Sequence, residues 1–223
     1  MIICFLVSIF LFCSILSLLV YIGYSVFVFR NWNRGYNIAK RHDYFPTVSM
    51  VVPAYNEEKS IAGKLQNLLE IDYPADKMQI IVVDDGSADK TAGVAESFVK
   101  KGVETLRQQD RKGKISALNL AFSRSYGDLI VTTDADVRTP RSILKEVVPY
   151  FADRKVGAVC ASQELVNLDE SRSTLAEGRF QRFYTLLRQG ESMADSTIVF
   201  NGEFTAIRKE LLDEIPADAG VDD

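Results

Sequence analysis

The stretch that decides the fold is MQIIVVDDGSADKTAGVAESFVKKG, residues 78–102. Its first part, residues 78–85, is an apolar run rich in β-branched residues that ends in two aspartates, which is typical of a buried strand. Its second part, residues 87–102, has helical periodicity and stops at Gly102. The residues expected to face inward from this helix are Val94, Ala95, Phe98 and Val99. The stretch therefore predicts a strand followed directly by a helix.

The same alternation continues on both sides of this unit. Four further stretches are typical of strands, at residues 47–53, 103–108, 128–134 and 156–162. Helical periodicity is found at residues 58–74, 114–127, 139–151 and 179–193. We expect Thr139 to cap the third of these helices, Pro140 to take its first position, and the fourth to lie beside the sheet. Residues 196–202 return toward a strand, and residues 201–212 indicate a strand, a turn and a helix. The pattern predicts an α/β fold with a mostly parallel sheet and helices on both faces.

The N-terminal segment is apolar and uncharged from residue 2 to residue 29. About 20 such residues suffice to cross a bilayer. A cleaved signal peptide would usually begin with basic residues and have a shorter apolar core, so a retained transmembrane helix is the favoured interpretation. Basic residues follow at once, at Arg30, Arg34, Lys40 and Arg41. The positive-inside rule then predicts that the rest of the chain lies in the cytoplasm.

These features divide the chain into a transmembrane helix at residues 1–30, a basic juxtamembrane linker at 31–45 and a globular domain at 46–223. With 47% hydrophobic and 25% charged residues, the composition suits a folded domain. The net charge of −4 gives no bias toward nucleic acid, and we expect no nucleic-acid partner. A single histidine makes a Ser-His-Asp triad or a histidine-rich zinc site improbable, so acid–base and metal chemistry must come from Asp and Glu.

The stretch VTTDADVRTP, residues 131–140, sets Asp134 and Asp136 at the end of a predicted strand. Such a triplet also occurs by chance on many surfaces, and its position after the strand is what distinguishes it here. Two carboxylates held close together repel each other unless a cation or a proton relieves them. Hard oxygen ligands suit Mg²⁺ or Mn²⁺, which commonly bind through one or two carboxylates and substrate phosphates. The sequence therefore predicts a divalent metal holding a diphosphate.

Two other polar motifs have both a structural and a functional interpretation. DDGS, residues 84–87, is either a plain turn that caps a helix or a site where a carboxylate accepts hydrogen bonds from a base or ribose. RKGKISALN, residues 111–119, is either a solvated basic turn or a cationic helix start suited to a diphosphate. No G-x-G-x-x-G fingerprint is present, which disfavours a dinucleotide-binding Rossmann domain.

Five motifs together give the chain a specific resemblance. They are VVPAYNEE (51–58), VVDDGSADKT (82–91), RKGKISALN (111–119), TTDADV (132–137) and GEFTAIRKELL (202–212). In this order and at this spacing, they resemble glycosyltransferase family 2 over about residues 47–223. The resemblance implies a GT-A fold, which is Rossmann-like, and an inverting sugar transfer from a nucleotide-diphospho-sugar.

The resemblance also implies roles for individual residues. The nucleotide pocket would be lined by Pro53, Ala54, Tyr55 and Glu57. Asp85, with Asp84 nearby, would reach the base, and Lys114 would lie near the phosphates. Asp134 and Asp136 match the D-x-D pair, with Asp134 also facing the nucleotide and Asp136 favoured as the metal ligand. Asp223 matches the catalytic base and Asp222 the residue before it, where the family carries Glu. Gly202 and Glu203 match the acceptor-side turn.

By this resemblance, the expected enzyme is a membrane-anchored glycosyltransferase acting at the cytoplasmic face with Mg²⁺ or Mn²⁺. Its partners would be a nucleotide-diphospho-sugar donor, with UDP-sugar favoured, a saccharide or lipid acceptor, and membrane lipid. A carboxylate base suits the loss of a hydroxyl proton, and a metal with Lys114 suits a departing diphosphate.

Two alternatives remain open at this point. A GT-A-like nucleotidyltransferase would carry a glycine-rich phosphate loop near the first strand, and VVPAYNEE has no glycine. A non-catalytic membrane scaffold would have no need of both D-x-D aspartates and a terminal acidic pair. Because family members with an N-terminal membrane helix usually continue beyond the base into a Q-x-x-R-W segment and further membrane helices, we expect a domain truncated at its C-terminus. This stretch alone is expected to bind nucleotide but to transfer sugar poorly or not at all.

Overall fold

The structure is a computed structural model that describes residues 2–32, 35, 37–162, 172–197 and 203–216. The chain forms two compact units. The first consists of Met1–Asn37 and Glu164–Phe200, and the second of Ile38–Gln163 and Asn201–Asp223. Each unit is described by itself below.

The second unit contains a six-stranded sheet with helices between its strands. The strands are β1 (Val48–Ala54), β2 (Met78–Asp84), β3 (Val103–Arg107), β4 (Leu129–Thr133), β5 (Ala158–Cys160) and β6 (Phe204–Arg208). The helices are α2 (Ile61–Leu69), α3 (Thr91–Glu96), α4 (Lys114–Arg124) and α5 (Ile143–Val147). Short 3₁₀ turns occupy Ala75–Lys77, Val99–Lys101, Val148–Ala152 and Lys209–Leu211.

The strands lie in the order β3-β2-β1-β4-β6-β5. β1 pairs in parallel with β2 and β4, and β2 pairs in parallel with β3. β6 enters antiparallel between β4 and β5. The predicted fold class is therefore confirmed, since the sheet is mostly parallel and carries helices on both faces.

Two apolar clusters cover the two faces of the sheet. Because successive side chains of a strand point to opposite faces, β1 contributes to both clusters. One cluster joins Met50 and Val52 to α2 through Ile61, Leu65 and Leu68, all fully buried. The other joins Val51, Ile81, Val83 and Ile130 to α4 through Ala117, Leu118 and Ala121. Burial on both faces explains why β1 and β2 are almost continuously apolar.

Some predicted helix boundaries were wrong. Helix α3 ends at Glu96, and Val99, expected to face inward, begins a 3₁₀ turn with its side chain 53% exposed. Helix α5 begins at Ile143 after Ser142, not at Pro140. Thr139 does not cap it, because the Thr139 hydroxyl donates a hydrogen bond to Asn67 Oδ1 at 3.0 Å. A tertiary contact with α2 thus replaces the local cap.

Among its described residues, the first unit contains two helices, α1 (Ile2–Trp32) and α6 (Arg172–Ala194). The helix predicted at residues 179–193 is thus present within α6, and it packs against α1. Gly190 allows this approach, because a Cβ there would lie 2.4 Å from Val28 Cγ1. Within Cys4–Trp32, the most apolar window of 18 residues has a mean hydropathy of 2.7, and the helix is long enough to cross a membrane. This makes α1 a candidate membrane span. The division of the chain at residues 30 and 45 into helix, linker and globular domain stays a prediction.

Candidate active site

The carboxyl ends of β2, β1 and β4 lie next to one another in the middle of the sheet. β1 is the central strand of the three, and its last residue, Ala54, is paired with Asp84 at the end of β2. The segments that follow these strands therefore emerge together at one edge, where ligands bind in folds of this kind.

The segments after β1 and β2 are hydrogen-bonded to each other. Asn56 has a φ of 56°, in the left-handed region that asparagine tolerates better than most residues. Its backbone N–H donates to Ser87 Oγ at 2.9 Å, and its Oδ1 accepts from the Ala88 N–H at 3.0 Å. The Glu57 N–H donates to Thr91 Oγ1 at 2.7 Å. These bonds fix the predicted nucleotide-pocket segment relative to the DDGS segment.

Tyr55 is the residue of this pocket segment whose ring faces outward, with 38% of its surface exposed. The Arg111 guanidinium lies over the ring at 4.4 Å from its centroid, a cation–π contact. Ala54 is buried and Pro53 half-buried within β1, and the Glu57 carboxylate accepts a hydrogen bond from the Ser60 hydroxyl. Tyr55 and Arg111 therefore form an exposed cation–π pair at the edge of the site.

The two aspartates that end the second predicted strand have different partners. Asp84 is fully buried, and its Oδ2 lies 3.4 Å from Arg107 Nε, at the end of β3. Asp85 is 3% exposed, and its two carboxylate oxygens accept from the N–H groups of Lys112 and Gly113, each at 2.8 Å. Asp85 thus fixes the basic RKGK segment at the start of α4. Contact of either residue with a base stays a prediction.

Gly86, between these aspartates and Ser87, is required by close packing. Its φ is +70°, and a Cβ there would lie 2.6 Å from Arg111 N. We expect Gly86→Ala to lower the free energy of unfolding by about 2 kcal/mol, because the residue would be strained and the RKGK segment displaced.

Chemical denaturation measures this change, and Gly93→Ala in α3 is the matched control, since a Cβ at Gly93 meets nothing within 4 Å. Equal stability of the two variants would contradict the packing argument.

Lys114, the first residue of α4, contacts the D-x-D pair directly. Its Nζ lies 2.8 Å from Asp134 Oδ1, and the two side chains are 33% and 30% exposed. The predicted phosphate-binding lysine and one predicted metal ligand are therefore brought together from separate motifs. Partial exposure leaves the Lys114 ammonium free to exchange this carboxylate for another anion.

Asp134 and Asp136 follow β4, and Asp136 is exposed to solvent. Within the described part of the chain, no group of three or more His, Cys, Asp or Glu is arranged to hold a metal ion. Mg²⁺, however, commonly binds through one or two carboxylates and completes its shell with water and substrate phosphates. The residues present fit a divalent ion of that kind.

Lys64 is a residue of this site that the sequence patterns did not identify. Its side chain is buried beneath the D-x-D segment, where its Nζ donates to Thr133 Oγ1 and to Val137 O. Burial lowers the pKa of the Lys64 ammonium to about 8, although the charges of Asp134 and Asp136 oppose the decrease. The available signal was its spacing, because a lysine three residues after Ile61 and four before Leu68 falls on the apolar face of α2.

The acceptor side is only partly described. Glu203 is half-buried and directly precedes β6, whose first residue, Phe204, pairs with Thr133. It therefore lies at the same end of the sheet as the D-x-D pair. Gly202, Asp222 and Asp223 lie outside the described residues, so their predicted roles stay predictions.

Residues 49–216 match the sequence family Glycosyl transferase family 2. The chain belongs to glycosyl transferase family 2, and its fold is of the GT-A type. This confirms the resemblance given by the five motifs.

The chain is similar to enzymes named as synthases of a glucosyldiacylglycerol and of hyaluronan. It is 28% identical over 183 residues to a beta-monoglucosyldiacylglycerol synthase of Synechocystis sp., and the aligned region covers 77% of this chain and 36% of the relative. It is 30% identical over 182 residues to a hyaluronan synthase of Streptococcus pyogenes, covering 78% and 42% respectively. The chain thus spans less than half the length of these relatives.

One solved structure resembles nearly the whole chain. It is the mannosyltransferase PcManGT from Pyrobaculum calidifontis in complex with GDP-Man and Mn²⁺, with a TM-score of 0.77 and 32% identity over 91% of this chain and 58% of that one. TarS of S. aureus in complex with UDP-GlcNAc has a TM-score of 0.51 and 25% identity over 54% of this chain and 35% of that one.

Proposed function

We propose that this protein transfers a sugar, with inversion, from a nucleotide-diphospho-sugar to a saccharide or lipid acceptor, and that the reaction depends on Mg²⁺ or Mn²⁺. The observation that carries the proposal is the ion pair between Lys114 and Asp134 beside Asp136. In a chain of this family, this contact supports the proposal because it joins a lysine that would bind phosphate to a pair of carboxylates that would hold the ion.

The donor would lie across the ends of β1, β2 and β4. Its base would pack near Tyr55 and Arg111, and its diphosphate would lie between Lys114 and the D-x-D segment. A bound divalent ion would act as a Lewis acid that stabilises the charge of the diphosphate. We favour a UDP-sugar. Relatives of known structure bind either kind of nucleotide, because PcManGT was solved with GDP-Man and TarS with UDP-GlcNAc.

In the transfer step, an acceptor hydroxyl attacks the anomeric carbon of the donor sugar. The new carbon–oxygen bond forms as the bond to the diphosphate breaks, and the nucleoside diphosphate leaves. Asp223, preceded by Asp222, would take the hydroxyl proton as general base. Lys114 would leave Asp134 to neutralise the departing diphosphate, which gains negative charge in the transition state. Gly202 and Glu203 would face the acceptor.

The cytoplasmic face of a membrane is the proposed place of this reaction. Helix α1 is uncharged from residue 2 to residue 29, and basic residues occur in its last turn and directly after it, at Arg30, Arg34, Lys40 and Arg41. By the positive-inside rule, this placement favours a cytoplasmic domain. A lipid acceptor would suit this place, since one relative is named for a diacylglycerol product. Nucleotide donors would reach the same face from the cytoplasm.

The test is calorimetric titration of the protein with UDP in the presence and absence of Mn²⁺, and then with GDP. We expect Mn²⁺ to tighten UDP binding by about tenfold or more, because Asp134 and Asp136 would hold an ion whose positive charge attracts the diphosphate. Uridine is the control, since it has no diphosphate and its binding should not respond to Mn²⁺. Equal UDP affinity with and without Mn²⁺ would overturn metal dependence, and tighter binding of GDP would overturn the choice of UDP.

A further inference from the structure

Lys64 is bonded to both ends of the segment that carries the two aspartates. The residue is 2% exposed, and its Nζ donates to Thr133 Oγ1 and to Val137 O, each at 2.7 Å. Thr133 directly precedes Asp134, and Val137 directly follows Asp136. One ammonium group therefore holds both ends of the D-x-D segment by hydrogen bonds.

A buried ammonium is unfavourable unless nearby negative charge and hydrogen bonds compensate it. Here both aspartates act on Lys64, since their charges raise the pKa that burial lowers. With a pKa of about 8, the group still carries its charge at pH 7. Lys64 is thus a fixed cation close to both proposed metal ligands.

Lys114 supplies a second cation, on the outer side of Asp134. The formal charges of the two lysines and the two aspartates then cancel. The two lysines differ in freedom: Lys114 is a third exposed and can move to a bound anion, whereas Lys64 is enclosed and bonded to the loop. The charge of Lys64 therefore stays in place when a ligand enters.

We propose that Lys64 is a positioning residue that makes metal binding at Asp134 and Asp136 depend on the nucleotide donor, an inference that rests on the function proposed above. A divalent ion arriving alone meets a site whose charges already cancel and which has no cluster of three ligand side chains among the described residues. A nucleoside diphosphate brings both oxygen ligands and negative charge, so that ion and donor bind well only together. By linkage, the ion tightens nucleotide binding by the same factor.

Asn67 provides a matched control for the effect of loop attachment alone. It lies one turn after Lys64 on α2 and also anchors the segment that follows β4. Its Nδ2 donates to Thr139 O at 2.9 Å, and its Oδ1 accepts from the Thr139 N–H at 2.9 Å. Asn67 carries no charge. Loosening of the loop and loss of the cation can therefore be separated by comparing variants at the two positions.

The experiment measures Mn²⁺ binding at pH 7 from the electron paramagnetic resonance signal of the free ion, with and without UDP. The proteins are the wild type, Lys64→Met, Lys64→Arg, Asn67→Ala and Asp136→Ala. We expect Lys64→Met to bind Mn²⁺ alone about five- to tenfold more tightly than the wild type, because a nearby positive charge has been removed. The factor by which UDP tightens Mn²⁺ binding should fall correspondingly. Lys64→Arg should resemble the wild type, and Asn67→Ala should not bind the free ion more tightly.

The outcomes separate this inference from the proposed function. If Lys64→Met binds Mn²⁺ alone as weakly as the wild type, or more weakly, the inference is overturned. The proposed function would still stand if UDP tightens Mn²⁺ binding in the wild type and Asp136→Ala abolishes this binding. If UDP has no effect on Mn²⁺ binding in the wild type, the proposed function itself fails. Should Lys64→Met not fold, as judged by circular dichroism, Lys64→Gln decides by the same comparison.

Discussion

Asp136→Asn is expected to lower the rate of sugar transfer about 10³-fold, the size of effect seen when one group that stabilises transition-state charge is removed. Asp136 is exposed at the end of the β4 segment, and Asp134 is already paired with Lys114 at 2.8 Å. Asp136 is therefore the carboxylate of the pair that Lys114 does not hold, and it would be available to an ion that enters with the donor. Asparagine keeps the shape of the side chain but removes the charge that would hold a divalent cation.

The measurement is release of UDP from a UDP-sugar by membranes that contain the protein, with Mn²⁺ varied. The variant should lose nearly all of its Mn²⁺-dependent turnover and also the effect of Mn²⁺ on UDP binding. The matched control is Asp76→Asn, an exposed acid in the 3₁₀ turn before β2, at the opposite end of that strand. An effect of Mn²⁺ on UDP binding as large in Asp136→Asn as in the control would show that this carboxylate does not hold the ion, whatever the rate of transfer.

Asp85→Ala is expected to lower the free energy of unfolding by about 3 kcal/mol and to weaken UDP binding at least about tenfold. The Asp85 carboxylate is buried and accepts two backbone hydrogen bonds at 2.8 Å, from Lys112 and Gly113. Alanine leaves both N–H groups without this acceptor. The RKGK segment would then no longer hold Lys114 in place at the start of α4.

Hydrogen exchange gives a direct readout, because the Lys112 and Gly113 amides should exchange faster in the variant while amides within β1 change less. Asp85→Asn should be intermediate, since its side chain retains one carbonyl acceptor. Glu96→Gln in α3 serves as the control for removal of a nearby exposed acid. Unchanged protection of Lys112 and Gly113 in Asp85→Ala would contradict the role of this carboxylate.

The order of strands and helices was predictable because it depends on local patterns. The apolar run at residues 78–85 and the helical spacing of Ile61, Leu65 and Leu68 each lie within a few residues of chain, and both elements are present. The sequence likewise predicted that polar residues of the site follow the carboxyl ends of β1, β2 and β4. The position of β6 between β4 and β5 was not, because strand order depends on how connections cross the sheet and not on the strand's own residues.

The sequence by itself determined the fold class, the family and which acids and bases lie at the ends of strands, since periodicity and motif spacing are properties of short segments. Only the tertiary structure decided which partner each charge has. Asp84 and Asp85 are neighbours in the chain, yet one is buried beside Arg107 and the other binds amides 27 and 28 residues away. Lys64 meets acceptors 69 and 73 residues away. Such partners arise when distant segments pack together, and no local pattern encodes them.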